Sequence, residues 1–161
     1  MKNILCGVCM LFTLVFYANP IDTATAKKAA QAFMQSQTNL RQKTNPELTL
    51  VYQEVSLQKE MEGMVYYYIY NVGEKAYVIV SGNDKVIPIL AYSDESSFNP
   101  NNIPSNMQGF LSEYKREIAH IVNNNIPASE QTYKKWKELL DGGISESQQK
   151  DLKSSVAPLL K

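Results

Sequence analysis

The sequence predicts one α+β domain, with an antiparallel meander sheet of about four strands, one helix before it and two helices packed after it. Three observations support this fold class. The 161 residues are enough for about one domain. The middle of the chain holds strand-like runs joined by turns too short for crossover helices, and helical periodicity flanks it on both sides. We therefore divide the chain into a signal peptide at 1–18, a domain at 19–142 and an extended linker or tail at 143–161.

The amino terminus has the layout of a secretory signal peptide. Lys2 precedes an apolar run at residues 4–17, and Ala18 provides a small residue at its exit. The run is shorter than the roughly 18 to 20 residues of a membrane-spanning helix, which favours cleavage over a retained anchor. The two cysteines, Cys6 and Cys9, both lie in this predicted signal peptide. After its removal the mature chain is expected to contain no cysteine, and therefore no disulfide and no thiolate. We expect a secreted or periplasmic protein with no membrane contact after cleavage.

A helix and a strand are predicted at the start of the domain. Residues 21–37 begin with Asp22 or Thr23 as candidate N-cap. Apolar residues then recur at helical spacing, namely Ala26, Ala30, Phe33 and Met34. After a polar stretch, alternating apolar residues predict a strand at 48–55.

Three more strands are predicted at residues 64–72, 76–81 and 86–93, which are rich in Tyr, Val and Ile and separated by turn formers. Pro88 cannot donate a ladder hydrogen bond, which places it near an edge or a bulge. The first of these strands contains Tyr66, Tyr67, Tyr68 and Tyr70. Because neighbouring strand residues alternate faces, half of these tyrosines are expected in the core, although a sugar or peptide platform is the alternative.

Two helices are predicted after a surface loop at residues 94–103. Ser105 begins the clearer helix, which ends at residues 123–125. Its predicted buried stripe contains Met107, Phe110, Leu111, Tyr114, Ile118, Ile121 and Val122. A shorter helix from Ser129 carries Tyr133, Trp136, Leu139 and Leu140 on one side.

Composition and motifs indicate few groups suited to catalysis or to binding a cofactor. The 16 basic and 16 acidic side chains balance, which gives no electrostatic reason to expect nucleic acid or an anionic membrane surface as partner. His120 is the single histidine and lies off the apolar stripe, so we interpret it as a surface residue. The chain has neither a glycine-rich phosphate loop nor a nucleophile elbow, and no cofactor or metal is expected. Such a protein is expected to work by contact.

An ordered series of motifs resembles the propeptide of the streptopain-type cysteine peptidases, also found as free-standing Spi-type inhibitors. The series is AYVIVSG at 76–82, IPILAYS at 87–93, SF at 97–98, and Asn-Met followed by Phe-Leu and Tyr at 106–114. The similarity extends from about residue 21 to about residue 124. Ala91 is a departure, because glycine is more usual there.

The resemblance implies a site as well as a fold. In this family an asparagine just before the Phe-hydrophobic-x-x-Tyr stretch enters the active-site cleft and displaces the catalytic histidine from the cysteine. Asn106 matches that position, and we assign Ser105 and Met107 beside it to the same segment that blocks the active site. Phe98 and Asn102 belong to the supporting loop. The alternative is that Asn106 merely occupies the first turn of its helix.

The expected function is therefore inhibition of a streptopain-type cysteine peptidase, in cis or in trans, by blocking its cleft. The chain as given is not expected to be an enzyme, because it stops at Lys161 before any catalytic cysteine or histidine of the peptidase unit. Two alternatives remain open. One is the front part of a longer zymogen, and the other is an exported binding module that uses the tyrosine-rich strand.

Overall fold

A computed structural model describes residues 20–37 and 47–141; the predicted signal peptide and tail lie outside them. The fold class is confirmed, with one helix before the sheet and two after it. The elements are α1 Thr23–Ser36, β1 Leu48–Val55, β2 Val65–Val72, β3 Ala76–Ser81, β4 Ile89–Ser93, α2 Ser105–Asn123 and α3 Glu130–Leu140. A short 3-10 helix, Lys59–Met61, lies in the turn between β1 and β2.

The four strands form an antiparallel meander in the order β1-β2-β3-β4. β4 is an edge strand and begins at Ile89, so the predicted strand from Val86 was three residues too long. The carbonyl of Pro88 still accepts a hydrogen bond from the Ser81 amide at 2.9 Å. The pairing of β3 with β4 shifts beside this point, as expected where proline removes a donor.

Helices cover both faces of the sheet. On one face, α1 and α3 enclose a core that includes Phe33, Tyr70, Val78 and Trp136. On the other face, α2 packs on a second core. Its members include Ile69, Tyr77, Ile79, Met107, Leu111 and Ile118. This three-layer arrangement buries side chains on both faces of the sheet.

The tyrosines of β2 are all buried, rather than half of them. Tyr66, Tyr67, Tyr68 and Tyr70 expose between 0% and 3% of their surface. The expectation of one wet face was wrong because α2 covers the second face. With their rings enclosed, these tyrosines do not form an open platform for a sugar or peptide.

Tyrosine hydroxyls fasten α1 to the sheet. Tyr68 donates to the carbonyl of Ile21 at 2.8 Å, and Tyr70 donates to the carbonyl of Thr23 at 2.9 Å. The predicted N-cap is confirmed, because the Asp22 carboxylate accepts from the Thr25 amide at 2.7 Å. The entry of α1 is therefore fixed by its own cap and by β2.

α3 begins after Ser129, whose hydroxyl accepts from the Thr132 amide at 3.0 Å. Its Trp136 is buried and donates through Nε1 to the carbonyl of Val86 at 2.8 Å. Tyr133 was wrongly assigned to the buried side, since it is 67% exposed and Thr132 is buried instead. The true stripe passes through Thr132, Trp136 and Leu139, one position away from Tyr133.

Candidate functional site

The loop between β4 and α2 is fixed to the sheet at Phe98. The ring of Phe98 is buried and meets the ring of Tyr77 edge-on, with centroids 5.9 Å apart. The side chain of Asn71, on β2, binds the same residue twice. Its Oδ1 accepts from the Phe98 amide at 2.8 Å, and its Nδ2 donates to the Phe98 carbonyl at 3.0 Å. The predicted supporting residue is thus the buried anchor of an ordered loop.

Further hydrogen bonds shape the loop between Phe98 and α2. The side-chain oxygen of Asn99 accepts a hydrogen bond from the Asn101 amide at 3.0 Å. The backbone carbonyl of Asn99 accepts one from the Asn102 amide at 3.1 Å. Gln108 then reaches back from α2 and donates to the carbonyl of Ile103 at 2.8 Å. These contacts join the loop and the first turns of α2 into one unit.

The five site residues predicted from the sequence fall into two groups. Asn102, Ser105 and Asn106 are exposed at the end of the loop and the start of α2. Phe98 and Met107 are buried, at 5% and 2% exposure. The first group is available to a partner, whereas the second holds the loop and the helix against the sheet.

Phe110 is a surface residue that sequence reasoning placed in the core. It is 46% exposed, although the predicted stripe of α2 included it. The buried stripe is narrower and follows Met107, Leu111 and Ile118. Phe110 lies one turn after Asn106, and residues four apart share a helix face. The structure therefore exposes an aromatic ring beside the predicted inhibitory asparagine.

The segment of chain around Asn106 contains no charged residue. Residues 96–112 contain no Asp, Glu, Lys or Arg, although 20% of the chain is charged, and most of them are exposed. We call the exposed residues of this segment the uncharged surface. It ends at Glu113, which pairs with Arg116. The sequence alone contained this signal, as a long gap in the charge pattern.

A polar network braces α2 against β1 next to this surface. Glu54 accepts from Tyr52 and from Lys115 of α2, each at 2.5 Å. Burial raises the pKa of Glu54, but the hydrogen bonds from Lys115 and Tyr52 outweigh it and leave the pKa below its ordinary value. Burial and the nearby carboxylate raise the pKa of Tyr52 to about 12. The ring of Tyr52 also contacts Phe98, with centroids 6.1 Å apart.

The described residues offer little metal-binding or catalytic chemistry. Residues 20–37 and 47–141 contain no group of three His, Cys, Asp or Glu side chains that could hold a metal ion. His120 is exposed, and its Nδ1 lies 3.1 Å from the side-chain nitrogen of Asn124. Across these two ranges, no helix is both long and apolar enough to cross a bilayer.

The fold and this surface define a domain suited to binding another protein, with an uncharged contact region on a fixed loop and helix. The chain belongs to the Spi protease inhibitor family, whose model matches residues 18–118. That match includes the whole sheet, the anchored loop and Asn106. Membership implies that this domain acts as an inhibitor of a peptidase.

One curated relative is the thiol protease/hemagglutinin PrtT of Porphyromonas gingivalis. It is 22% identical over 155 residues, which are 96% of this chain and 16% of the relative. The chain thus spans about a sixth of the length of that relative. No solved structure matches the chain significantly.

Proposed function

We propose that this protein inhibits a streptopain-type cysteine peptidase by inserting the start of α2, centred on Asn106, into the active-site cleft. The observation that carries the proposal is the exposure of Asn106 and Phe110 on one face of a helix whose entry is fixed by buried Phe98. Family membership supplies the class of partner.

The chemistry of an asparagine suits this role. A cysteine peptidase needs its cysteine and histidine within hydrogen-bond reach to keep the thiolate reactive. A side-chain amide both donates and accepts, so Asn106 can bind the imidazole and hold it away from the thiol. The amide offers no scissile peptide bond at that point. Removing an uncharged surface from water also costs less than removing a charged one.

The fixed loop favours tight binding. The two hydrogen bonds between the Asn71 side chain and the main chain of Phe98 order the loop before any partner arrives. A contact surface that is already ordered avoids the entropy cost of immobilising it on association. This supports an inhibitor that blocks the cleft as a rigid body.

The proposed setting is outside the cytoplasm, after removal of residues 1–18 as a signal peptide. Two arrangements use the same surface. In one, the protein acts in trans as a free inhibitor. The match to a short part of a much longer thiol protease favours a second, in which the domain precedes its peptidase in one polypeptide and blocks it in cis.

Titration of the purified protein, residues 19–161, against streptopain and PrtT, with papain as comparison, tests the proposal. We expect Asn106→Ala to raise the inhibition constant by about thirtyfold, the cost of losing a central interface anchor. Asn123→Ala is the matched control, because Asn123 is exposed at the far end of α2. Both variants should keep the melting temperature of the parent, since the altered side chains are exposed.

Two results would count against the proposal. One is that micromolar protein inhibits neither streptopain nor PrtT. The other is an equal effect of Asn106→Ala and Asn123→Ala on the inhibition constant.

A further inference from the structure

Gly109 lies in the second turn of α2, where glycine is unfavourable because it loses the most backbone freedom on folding. It is exposed, and a Cβ atom built there meets nothing within 4 Å. Nothing in the described fold therefore requires glycine at this position.

The other glycines of the described ranges have visible reasons. Gly63 and Gly73 have φ angles of +78° and +59°, in the left-handed region that disfavours side chains. At Gly82, a Cβ would lie 2.0 Å from the carbonyl oxygen of Val65. Gly109 differs from these three glycines, because no contact or backbone angle inside the domain excludes a side chain there.

The position of Gly109 connects it to the proposed inhibitory face. It follows Asn106 by three residues, so the two are neighbours on the helix surface, and it immediately precedes exposed Phe110. All three belong to the uncharged surface. The charged residues of α2 begin only at Glu113. Interface centres are depleted of charged residues and enriched in aromatic ones. The first half of α2, before Glu113, matches this composition better than the second half.

We propose that Gly109 is a specificity-determining position, at which the bare helix backbone lets one wall of the peptidase cleft pack directly against α2 beside Asn106. The inference rests on the proposed function and names how the helix fits the cleft. Close approach of two backbones is a common use of glycine, and here the approaching backbone belongs to the partner. Phe110 would flank the same contact with its apolar ring.

A size series at this position separates the proposal from a purely structural role. Gly109→Ala and Gly109→Gln both improve helix propensity, so both should raise the melting temperature, by about 3 °C. Inhibition of the peptidase should weaken, although the fold becomes more stable. We expect the inhibition constant to rise about threefold for Ala and about thirtyfold for Gln, because the larger side chain overfills the contact. Gln131→Ala, exposed on α3, is the control and should leave inhibition unchanged.

The outcomes are distinct. Inhibition by the parent with unchanged or lower inhibition constants for both Gly109 variants would overturn this inference and leave the proposed function standing. Failure of the parent to inhibit streptopain and PrtT would overturn both. A dimer of the parent that Gly109→Gln dissociates in sedimentation, with inhibition unaffected, would assign the surface to a second copy and also refute the inference.

Discussion

Replacing Asn71 with alanine removes both hydrogen bonds that hold the main chain of Phe98 to the sheet. Each such bond contributes about 1 kcal/mol net, and a buried group left unpaired costs about 1–3 kcal/mol. The contacts around Phe98 are part-buried, so we expect the free energy of unfolding to fall by about 2–3 kcal/mol. The loop would also lose its order, so that binding a peptidase must supply the entropy of fixing it.

Urea unfolding followed by Trp136 fluorescence measures the first effect. Trp136 lies in the core on the opposite face of the sheet, so its signal reports unfolding of the domain rather than loosening of the loop. Hydrogen exchange at the Phe98 amide measures the second effect and should accelerate. Asn101→Ala is the control, because Asn101 is exposed in the same loop. A loss of stability below about 0.5 kcal/mol, with unchanged exchange at Phe98, would refute the anchoring role.

Two further predictions concern stability. Gly82→Ala should destabilise the domain by more than about 3 kcal/mol in urea unfolding, because its Cβ would collide with the Val65 carbonyl; a soluble variant of parental stability would contradict the close approach. Acid should also weaken the fold through Glu54. Its folded pKa lies below the ordinary value, so its stabilising contribution is present above about pH 4.5 and is lost as the pH falls further. Glu54→Gln should flatten that part of the curve of stability against pH, and an unaltered acid limb would rule out the contribution of Glu54.

Local chemistry explains why much of the fold could be predicted from the sequence. The cap at Asp22 satisfies helix donors with a side chain three residues away, and this pattern depends on sequence neighbours alone. The strands of the meander are joined by short turns, so their order and direction follow directly from the chain. Trp136 was placed correctly on the buried side of α3 for the same reason, since periodicity determines a helix face.

The sequence-based predictions failed where burial depends on contacts between distant parts of the chain. Phe110 and Tyr133 fit a helical stripe by type, but the width of a buried stripe depends on what covers it. The burial of all the β2 tyrosines required knowing that helices pack on both faces. The bond between Asn71 and Phe98 joins residues 27 apart in the chain, and no spacing rule predicts such a pair.

Contacts within the domain separate residues with a structural role from residues with a proposed functional role. Asn71, Phe98 and Gly82 are explained by contacts within the domain, so their types need no partner. Asn106, Gly109 and Phe110 have no such explanation, since an exposed amide, an uncompensated helical glycine and an exposed aromatic ring each do little for folding. These three lie within five consecutive residues on a segment without charge. Their clustering is the physical reason to look for the inhibited peptidase at the start of α2 rather than at any other surface of the domain.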